Sequence, residues 1–270
     1  MKKLVLACSL AVSFLFGATT SVFAAETNSS SEWLDTSNMT SGYIAVKYTP
    51  ASSARTKVMI AKSGTTYTYD LNAVSAASTF PLQLGNGTYE VTLLENTSGN
   101  SYRKVSSDSL NVTLSNPNSV YLASTQNINW ENSSAVIAKA RELTANATTD
   151  TEKAQAIYDY ITSKVKYDYN LAAALPAVYV PNPAQTLTSN KGICYDYSSL
   201  NAAMLRSVGI PTKLDMGTST KVKEYHAWNE VLLNGKWVVV DTTVDATVKQ
   251  SGKKTTLAAN ASDYKAVKVY

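Results

Sequence analysis

Cysteine and histidine are almost absent from this chain, which has two cysteines and one histidine among its 270 residues. Cys8 lies in an N-terminal stretch that we expect to be removed, so Cys194 is the only cysteine expected in the mature protein. One cysteine excludes an internal disulfide, and together with His226 it supplies too few ligands for a zinc site. A single thiol in an exported protein is a candidate reactive residue.

Long apolar runs are also absent, except for one at the start of the chain. Lys2 and Lys3 precede an apolar stretch over residues 4–16, and Val22-Phe23-Ala24 fits the pattern that a signal peptidase cleaves. This order is typical of a secretory signal peptide, so we predict that residues 1–24 are cleaved and that the protein is secreted or associated with the cell envelope. The run is too short for a membrane anchor, and no second apolar run follows it.

The chain also lacks a large excess of positive or negative charge. The chain has 24 Lys and Arg against 20 Asp and Glu, and loss of Lys2 and Lys3 lowers the net charge from +4 to +2. A nearly neutral protein gives no electrostatic reason to bind nucleic acid or an anionic membrane surface. We therefore expect neither partner.

Two regions lie between the predicted signal peptide and the candidate catalytic residues. Residues 25–40 are rich in Ser, Thr and Asn, and we predict a flexible lead. Over residues 41–122 apolar and polar residues alternate in short stretches, and Gly85-Asn86-Gly87 marks a turn between two of them. This pattern predicts a β-sandwich of immunoglobulin-like type. The region has no cysteine, no histidine and no paired carboxylates, so a structural or docking module is expected, with wall or glycan binding as the alternative.

Residues 123–270 form the second predicted domain, and helical spacing dominates its first part. Ser133 can cap one helix, and Thr149 with Glu152 forms a capping-box pattern before another. A stretch broken by prolines comes next. We expect it to form a loop that lines a cleft ahead of Cys194.

Cys194 is predicted to lie at or near the start of a helix. It follows Gly192 and Ile193, and apolar residues at helical spacing continue to Gly209 and Pro211, which end the helix. Free N–H groups and the helix dipole at such a start favour a thiolate over a thiol. The alternative is a small buried apolar side chain, but the helix start favours a nucleophile.

His226 and Asp241 are predicted to approach each other on a hairpin. Leu233-Asn234-Gly235-Lys236 indicates a two-residue turn, and pairing its ends places Trp228 opposite Asp241. His226 then faces Thr243. Because side chains alternate, the histidine and the aspartate share one face of the sheet. They are diagonal neighbours, with their α-carbons about 7–8 Å apart. The alternatives are a core histidine and a turn-capping aspartate, and Trp228 is either core or cleft wall.

A thiol, an imidazole and a carboxylate in this order suggest a nucleophile, a base and an orienting acid. We therefore predict that Cys194, His226 and Asp241 form a catalytic triad, with Asp245 as the reserve acid. Gln185 is predicted to add an oxyanion donor to the backbone N–H of Cys194. No metal and no cofactor are implied.

The same residues resemble the bacterial transglutaminase-like domain over roughly residues 150–245. The segments that carry the resemblance are Gly192-Ile193-Cys194-Tyr195-Asp196-Tyr197-Ser198, Leu205-Arg206-Ser207-Val208-Gly209-Ile210-Pro211, His226-Ala227-Trp228-Asn229-Glu230-Val231 and Trp237-Val238-Val239-Val240-Asp241. The resemblance implies a papain-like α+β fold, in which a helix-borne cysteine packs on an antiparallel sheet that presents the histidine and the aspartate. It also implies the triad roles. The chain departs from many members at Thr242, where they have proline.

The resemblance leaves the reaction open, because relatives include cross-linkers, proteases, deamidases and inactive members. We expect acyl transfer at amide bonds, either as protein cross-linking or as amide hydrolysis, on a protein or peptide substrate. The alternatives are a cysteine peptidase or deamidase of envelope proteins or cell-wall peptides, and a non-catalytic envelope binding module.

Overall fold

The computed structural model describes residues 32–50, 53–71 and 77–270. The predicted signal peptide and residues 25–31 of the predicted lead lie outside the described residues. Among the helices that are described, none has the length and hydrophobicity that a membrane crossing requires. The described chain is a mixed α+β structure, which is the class that the sequence predicts.

Seven strands near the N-terminus form two antiparallel sheets. They are β1 (Leu34–Asp35), β2 (Tyr43–Val46), β3 (Thr56–Lys62), β4 (Thr65–Leu71), β5 (Ser78–Pro81), β6 (Gly87–Ser98) and β7 (Ser101–Val112). One sheet has the order β1-β2-β5 and the other β4-β3-β6-β7. Buried residues of both sheets belong to one core, where the ring centroids of Tyr69 and Phe80 are 4.9 Å apart.

One expectation for this region is corrected. The predicted flexible lead, residues 25–40, includes β1, which pairs with β2 and buries Leu34. The folded part therefore begins before residue 41. β7 is an edge strand paired with β6 on one side, and Val112 is its only buried residue, so its sequence carries little apolar alternation.

Six helices and six strands make up the second part of the chain. They are α1 (Ser134–Thr144), α2 (Asp150–Lys164), β8 (Lys166–Tyr167), α3 (Tyr169–Ala173), α4 (Pro183–Ser189), β9 (Lys191–Gly192), α5 (Cys194–Ser207), β10 (Thr212–Ser219), β11 (His226–Leu233), β12 (Lys236–Val240), α6 (Thr242–Gln250) and β13 (Tyr264–Val269). The main sheet is antiparallel with the order β12-β11-β10-β13. The predicted caps are confirmed: Ser133 accepts the Val136 N–H, and Thr149 forms a capping box with Glu152.

α5 is the central helix of this part. Every residue from Asp196 to Arg206 is buried, and the helix packs on β10 and β11 and contacts α1, α2, α4 and α6. Gly209 follows the helix with a φ of 85°, a left-handed conformation that favours glycine. The helix therefore ends where the sequence predicts, and its N-terminus carries Cys194.

Arg206 connects α5 to two distant segments of the chain. Its guanidinium donates to the carbonyls of Thr212, Ala123 and Tyr270 at 2.9, 2.7 and 3.1 Å. Ala123 follows the β-sheet region, and Tyr270 follows β13. Because Arg206 is buried, these bonds replace water and fix both segments to the helix that carries the candidate nucleophile.

Candidate active site

Cys194 is the first residue of α5 and is half-buried. The preceding residue, Ile193, has extended backbone and caps the helix. The first N–H groups of a helix have no acceptor within the helix, so the thiol lies among backbone donors and near the positive end of the helix dipole. This is the placement that the sequence predicts.

Asp196 folds back onto the start of the same helix. Its Oδ2 accepts the Ile193 N–H at 2.9 Å, and its Oδ1 accepts the Tyr179 hydroxyl at 2.7 Å. Burial raises the pKa of Asp196, although both hydrogen bonds oppose the rise. Tyr179 belongs to the proline-broken loop, so this contact ties the loop to the helix beside Cys194. The sequence reading missed the pair, although an acid at the third helical position is a known capping signal.

His226 is the first residue of β11 and is 3% exposed. The predicted turn register is confirmed from Leu233 paired with Lys236 to Asn229 paired with Val240. The Nε2 atom of His226 lies 2.8 Å from Oδ2 of Asp241. The Cys194 side chain interacts with the same ring and adds to the rise of the His226 pKa. The three predicted triad residues are thus brought together.

The surroundings of His226 favour its charged form. Burial by itself lowers the pKa of the ring, but the hydrogen bonds and negative charges of Asp241 and Cys194 outweigh it and raise the pKa of His226 to about 9. The ring is therefore an imidazolium at neutral pH. A charged ring next to a thiol and a carboxylate can give a proton to a leaving group.

Asp241 reaches the histidine from a helix cap rather than from a strand. β12 ends at Val240, and Asp241 is the N-cap of α6. The predicted cross-strand pair of His226 with Thr243 does not form, because Thr243 lies in the first turn of α6 and not in a strand. The capping role and the triad position, which the sequence presents as alternatives, are combined in one side chain.

Four donors hold the Asp241 carboxylate. Its Oδ1 accepts the N–H groups of Thr243 at 3.1 Å and Val244 at 3.0 Å. Its Oδ2 faces the His226 ring and also accepts the hydroxyl of Tyr264 at 3.0 Å. Every direction around the carboxylate is thus occupied by a donor. Tyr264 lies on β13 and is absent from the sequence prediction, since nothing in its neighbouring residues marks it.

Trp228 lies beneath the site rather than in an open cleft. It is 2% exposed, and its ring centroid lies 6.2 Å from that of His226 and 5.1 Å from that of Tyr264. Of the two interpretations predicted for this residue, the geometry favours core. Trp228 packs against the rings on both sides of the Asp241 carboxylate.

Gln185 and Asp245 lie apart from the reactive pair. Gln185 is exposed on α4 and lines a 220 Å³ cavity whose described lining includes Asp196 but neither Cys194 nor His226. Asp245 accepts the hydroxyl of Tyr158 at 2.9 Å. Burial raises the pKa of Asp245 to about 6. Asp245, the reserve candidate for the acid, is therefore bonded to Tyr158 one turn further along α6.

Exposed and partly exposed aromatic side chains precede and follow the start of α5 in the fold. Tyr167 pairs with Gly192 in the β8–β9 ladder, two residues before Cys194. Burial raises the pKa of Tyr167, and the charge of Cys194 adds to the rise. The ring of Tyr169 lies 5.0 Å from that of Tyr167 and is 72% exposed. Tyr225, which precedes His226, is also exposed. Within the described ranges no group of His, Cys, Asp and Glu side chains is arranged to hold a metal ion.

This geometry agrees with a comparison against protein families. Residues 137–242 match the model of the transglutaminase-like superfamily, and Cys194, His226 and Asp241 all lie within the match. The matched region is a transglutaminase-like domain. The resemblance found in the sequence is confirmed, while Tyr264 lies beyond the matched residues.

Two curated relatives align with part of the chain. A UPF0252 protein of Methanocaldococcus jannaschii is 28% identical over 95 residues, which is 32% of this chain and 27% of the relative. The kyphoscoliosis peptidase of Homo sapiens is 30% identical over 112 residues, which is 38% of this chain and 17% of the relative. The chain therefore spans well under a third of the length of either relative.

Among solved structures, a candidate cysteine protease from Cytophaga hutchinsonii aligns over 74% of this chain and 78% of its own. The sequence identity is 16% and the TM-score is 0.44. The alignment extends beyond the residues that the family model matches.

Proposed function

We propose that the transglutaminase-like domain is a cysteine enzyme that transfers the acyl group of an amide to an acceptor. The observation that carries the proposal is the His226 ring, which lies 2.8 Å from the Asp241 carboxylate and interacts with the Cys194 thiol at the start of α5. A thiol at a helix start, an imidazolium and a capped carboxylate are the parts required for nucleophilic attack on a carbonyl. The match to the superfamily supports the same class of reaction.

The reaction proceeds through a thioester. The Cys194 thiolate attacks the amide carbonyl carbon, and the backbone N–H of Cys194 donates to the developing oxyanion. His226 gives its proton to the departing nitrogen as the C–N bond breaks. The acceptor then attacks the thioester, His226 takes the proton of the acceptor, and the thiolate leaves. Asp241 holds the Nε2 proton, so Nδ1 is the atom that faces the thiol.

The acceptor decides the outcome of the second step. An amine gives cross-linking, whereas water gives peptide hydrolysis or deamidation. Hydrolysis is the second candidate, because one of the aligned relatives is named a peptidase. We propose a protein or peptide substrate, cell-wall peptides included, because the aromatic rings of Tyr167 and Tyr169 provide a surface for an extended chain beside the thiol.

We also propose a location outside the cytoplasm and a supporting role for the N-terminal region. The location rests on the signal-peptide pattern of residues 1–24. The immunoglobulin-like interpretation is supported by the packing of a three-stranded sheet and a four-stranded sheet, all antiparallel, around one core.

Product analysis with and without the thiol tests the function. The protein is incubated with a glutamine-containing protein and a labelled amine, with Cys194→Ala as the control. Thiol-dependent incorporation of the amine supports transfer. Ammonia release without incorporation supports deamidation, and new amino termini support a peptidase. If none of the three products depends on Cys194 over a panel of envelope and wall peptides, the enzyme proposal is wrong and a binding module becomes the better explanation.

A further inference from the structure

One oxygen of Asp241 is shared by two side chains from different strands. Oδ2 faces Nε2 of His226 at 2.8 Å and accepts the Tyr264 hydroxyl at 3.0 Å. The ring of Tyr264 packs on the buried Trp228, and its backbone pairs with Ser219 in the β10–β13 ladder. Tyr264 is therefore held in place on three sides.

The residue before it holds the segment that leads into His226. Asp263 accepts the Thr220 hydroxyl at 2.7 Å through Oδ1 and pairs with Lys221 at 2.8 Å through Oδ2. Its carbonyl also accepts the Thr220 N–H at 2.9 Å. Asp263 and Tyr264 thus contact both the approach to the histidine and the carboxylate that orients it.

We infer that Tyr264 is a positioning residue, whose hydroxyl fixes the plane of the Asp241 carboxylate and thereby aligns the His226 ring on Cys194. The inference rests on the proposed function. Two backbone N–H groups hold Oδ1. Without the Tyr264 hydroxyl, Oδ2 keeps only the His226 ring as a partner among the described residues, so the carboxylate and the ring can tilt together. An imidazolium loses much of its stabilisation when its anionic partner turns away, so the thiolate loses its counter-ion as well.

Tyr158 provides a control for a purely structural role of a tyrosine hydroxyl. Tyr158 donates to Asp245 at 2.9 Å, also a tyrosine hydroxyl on a carboxylate of α6, but Asp245 does not contact the histidine. Tyr158→Phe is therefore a matched control for Tyr264→Phe. Both variants lose one hydroxyl that donates to a carboxylate, and only one of them changes the group that orients His226.

The test measures the rate of Cys194 alkylation by iodoacetamide from pH 5 to pH 9, with melting temperatures taken in parallel. We expect Tyr264→Phe to slow alkylation at pH 6 roughly tenfold and to move the rise of the profile to higher pH. Tyr158→Phe keeps the wild-type profile even if it melts earlier. In an Asp241→Asn background, Tyr264→Phe has no further effect on the rate, because its hydroxyl acts through Asp241.

A second measurement reports the charge and tautomer of the His226 ring directly. His226 is the only histidine, so a tag-free protein labelled with ¹⁵N-histidine gives one set of ring signals that report charge and tautomer. We expect the imidazolium signals of the wild type at pH 7 to shift toward the neutral ring in Tyr264→Phe. An unchanged profile and unchanged signals overturn the inference while leaving the proposed function intact. If His226→Ala alkylates like the wild type, both the inference and the proposed function fail.

Discussion

A Cβ atom placed on Gly192 would lie 2.5 Å from the Cβ of Asp196 and 3.0 Å from its Oδ2. The glycine is therefore needed for close packing against the aspartate that caps α5, rather than for an unusual backbone angle. This contact sets the approach of β9 to the helix start. The position of Cys194 depends on it, because Asp196 holds the N–H of Ile193 immediately before the thiol.

Gly192→Ala is expected to destabilise the protein by about 1–3 kcal/mol, because the new methyl group must displace Asp196 in a packed region. The alkylation rate of Cys194 falls as the cap is displaced. Urea unfolding and iodoacetamide kinetics measure the two effects. Gly85→Ala is the control: its positive φ of 73° gives a backbone cost of about 1 kcal/mol, and it leaves alkylation unchanged. Equal behaviour of the two variants would contradict the packing argument.

Asp215 is a second buried carboxyl with a measurable consequence. It is 0% exposed on β10, and neither of its oxygens has a hydrogen-bond partner among the described residues. Burial raises the pKa of Asp215 to about 8, the charge of Glu230 adds to the rise, and Lys213 opposes it. The folded protein therefore holds a proton that the unfolded chain releases near pH 4.

The stability contributed by this proton is present at low pH and is lost as the pH rises toward 8, because the native state binds more protons than the unfolded state in that window. We expect the difference in unfolding free energy between Asp215→Asn and the wild type to increase in favour of the variant by about 1–3 kcal/mol from pH 5 to pH 9. Urea unfolding at both pH values measures the gain. Asp150→Asn, at an exposed position paired with Lys153, serves as the control. A constant difference between Asp215→Asn and the wild type would rule out the buried proton.

The residues around Cys194 were predictable because each carries a local signal. Gly209 ends α5, and the Asn234-Gly235 turn fixes the register of β11 and β12. α6 was not predictable in the same way. Its first residues, Thr242, Thr243 and Val244, are β-branched and disfavour a helix by themselves. The Asp241 cap and burial against α2 and α5 decide in favour of the helix.

β13 and Tyr264 illustrate a different limit. The strand is short, its middle residues are exposed, and a loop separates it from α6, so no apolar pattern places it beside β10. Gly217 admits the strand, since a Cβ there would lie 2.1 Å from the Lys265 carbonyl oxygen. That requirement exists only in the folded protein. Contacts between segments far apart in the chain cannot be predicted from the sequence of either segment alone.

Arg206→Met is expected to destabilise the protein by about 3 kcal/mol or more, because three buried carbonyls lose their donor. Arg206→Lys retains the charge but cannot reach all three acceptors, so it recovers only part of the loss. Urea unfolding measures both variants. Lys139→Met is the control, since Lys139 pairs with the exposed Glu142 on the surface of α1 and its loss changes the stability little. A similar cost at the two positions would refute the anchoring role of Arg206.

Asp241→Asn separates the two roles of this residue. An Asn oxygen can still accept the N–H groups of Thr243 and Val244, so the cap remains and stability is lost only through the weaker pairing with the His226 ring. The amide nitrogen then faces Nε2 of His226, which favours the other tautomer, with its proton on the atom that should receive the proton of the thiol. We expect the acyl-transfer rate to fall about 10³–10⁴-fold. Asp241→Ala loses the cap as well and costs about 1 kcal/mol more. Rates and melting temperatures of both variants test this separation, and an Asn variant that is slow only because it is unfolded would contradict it.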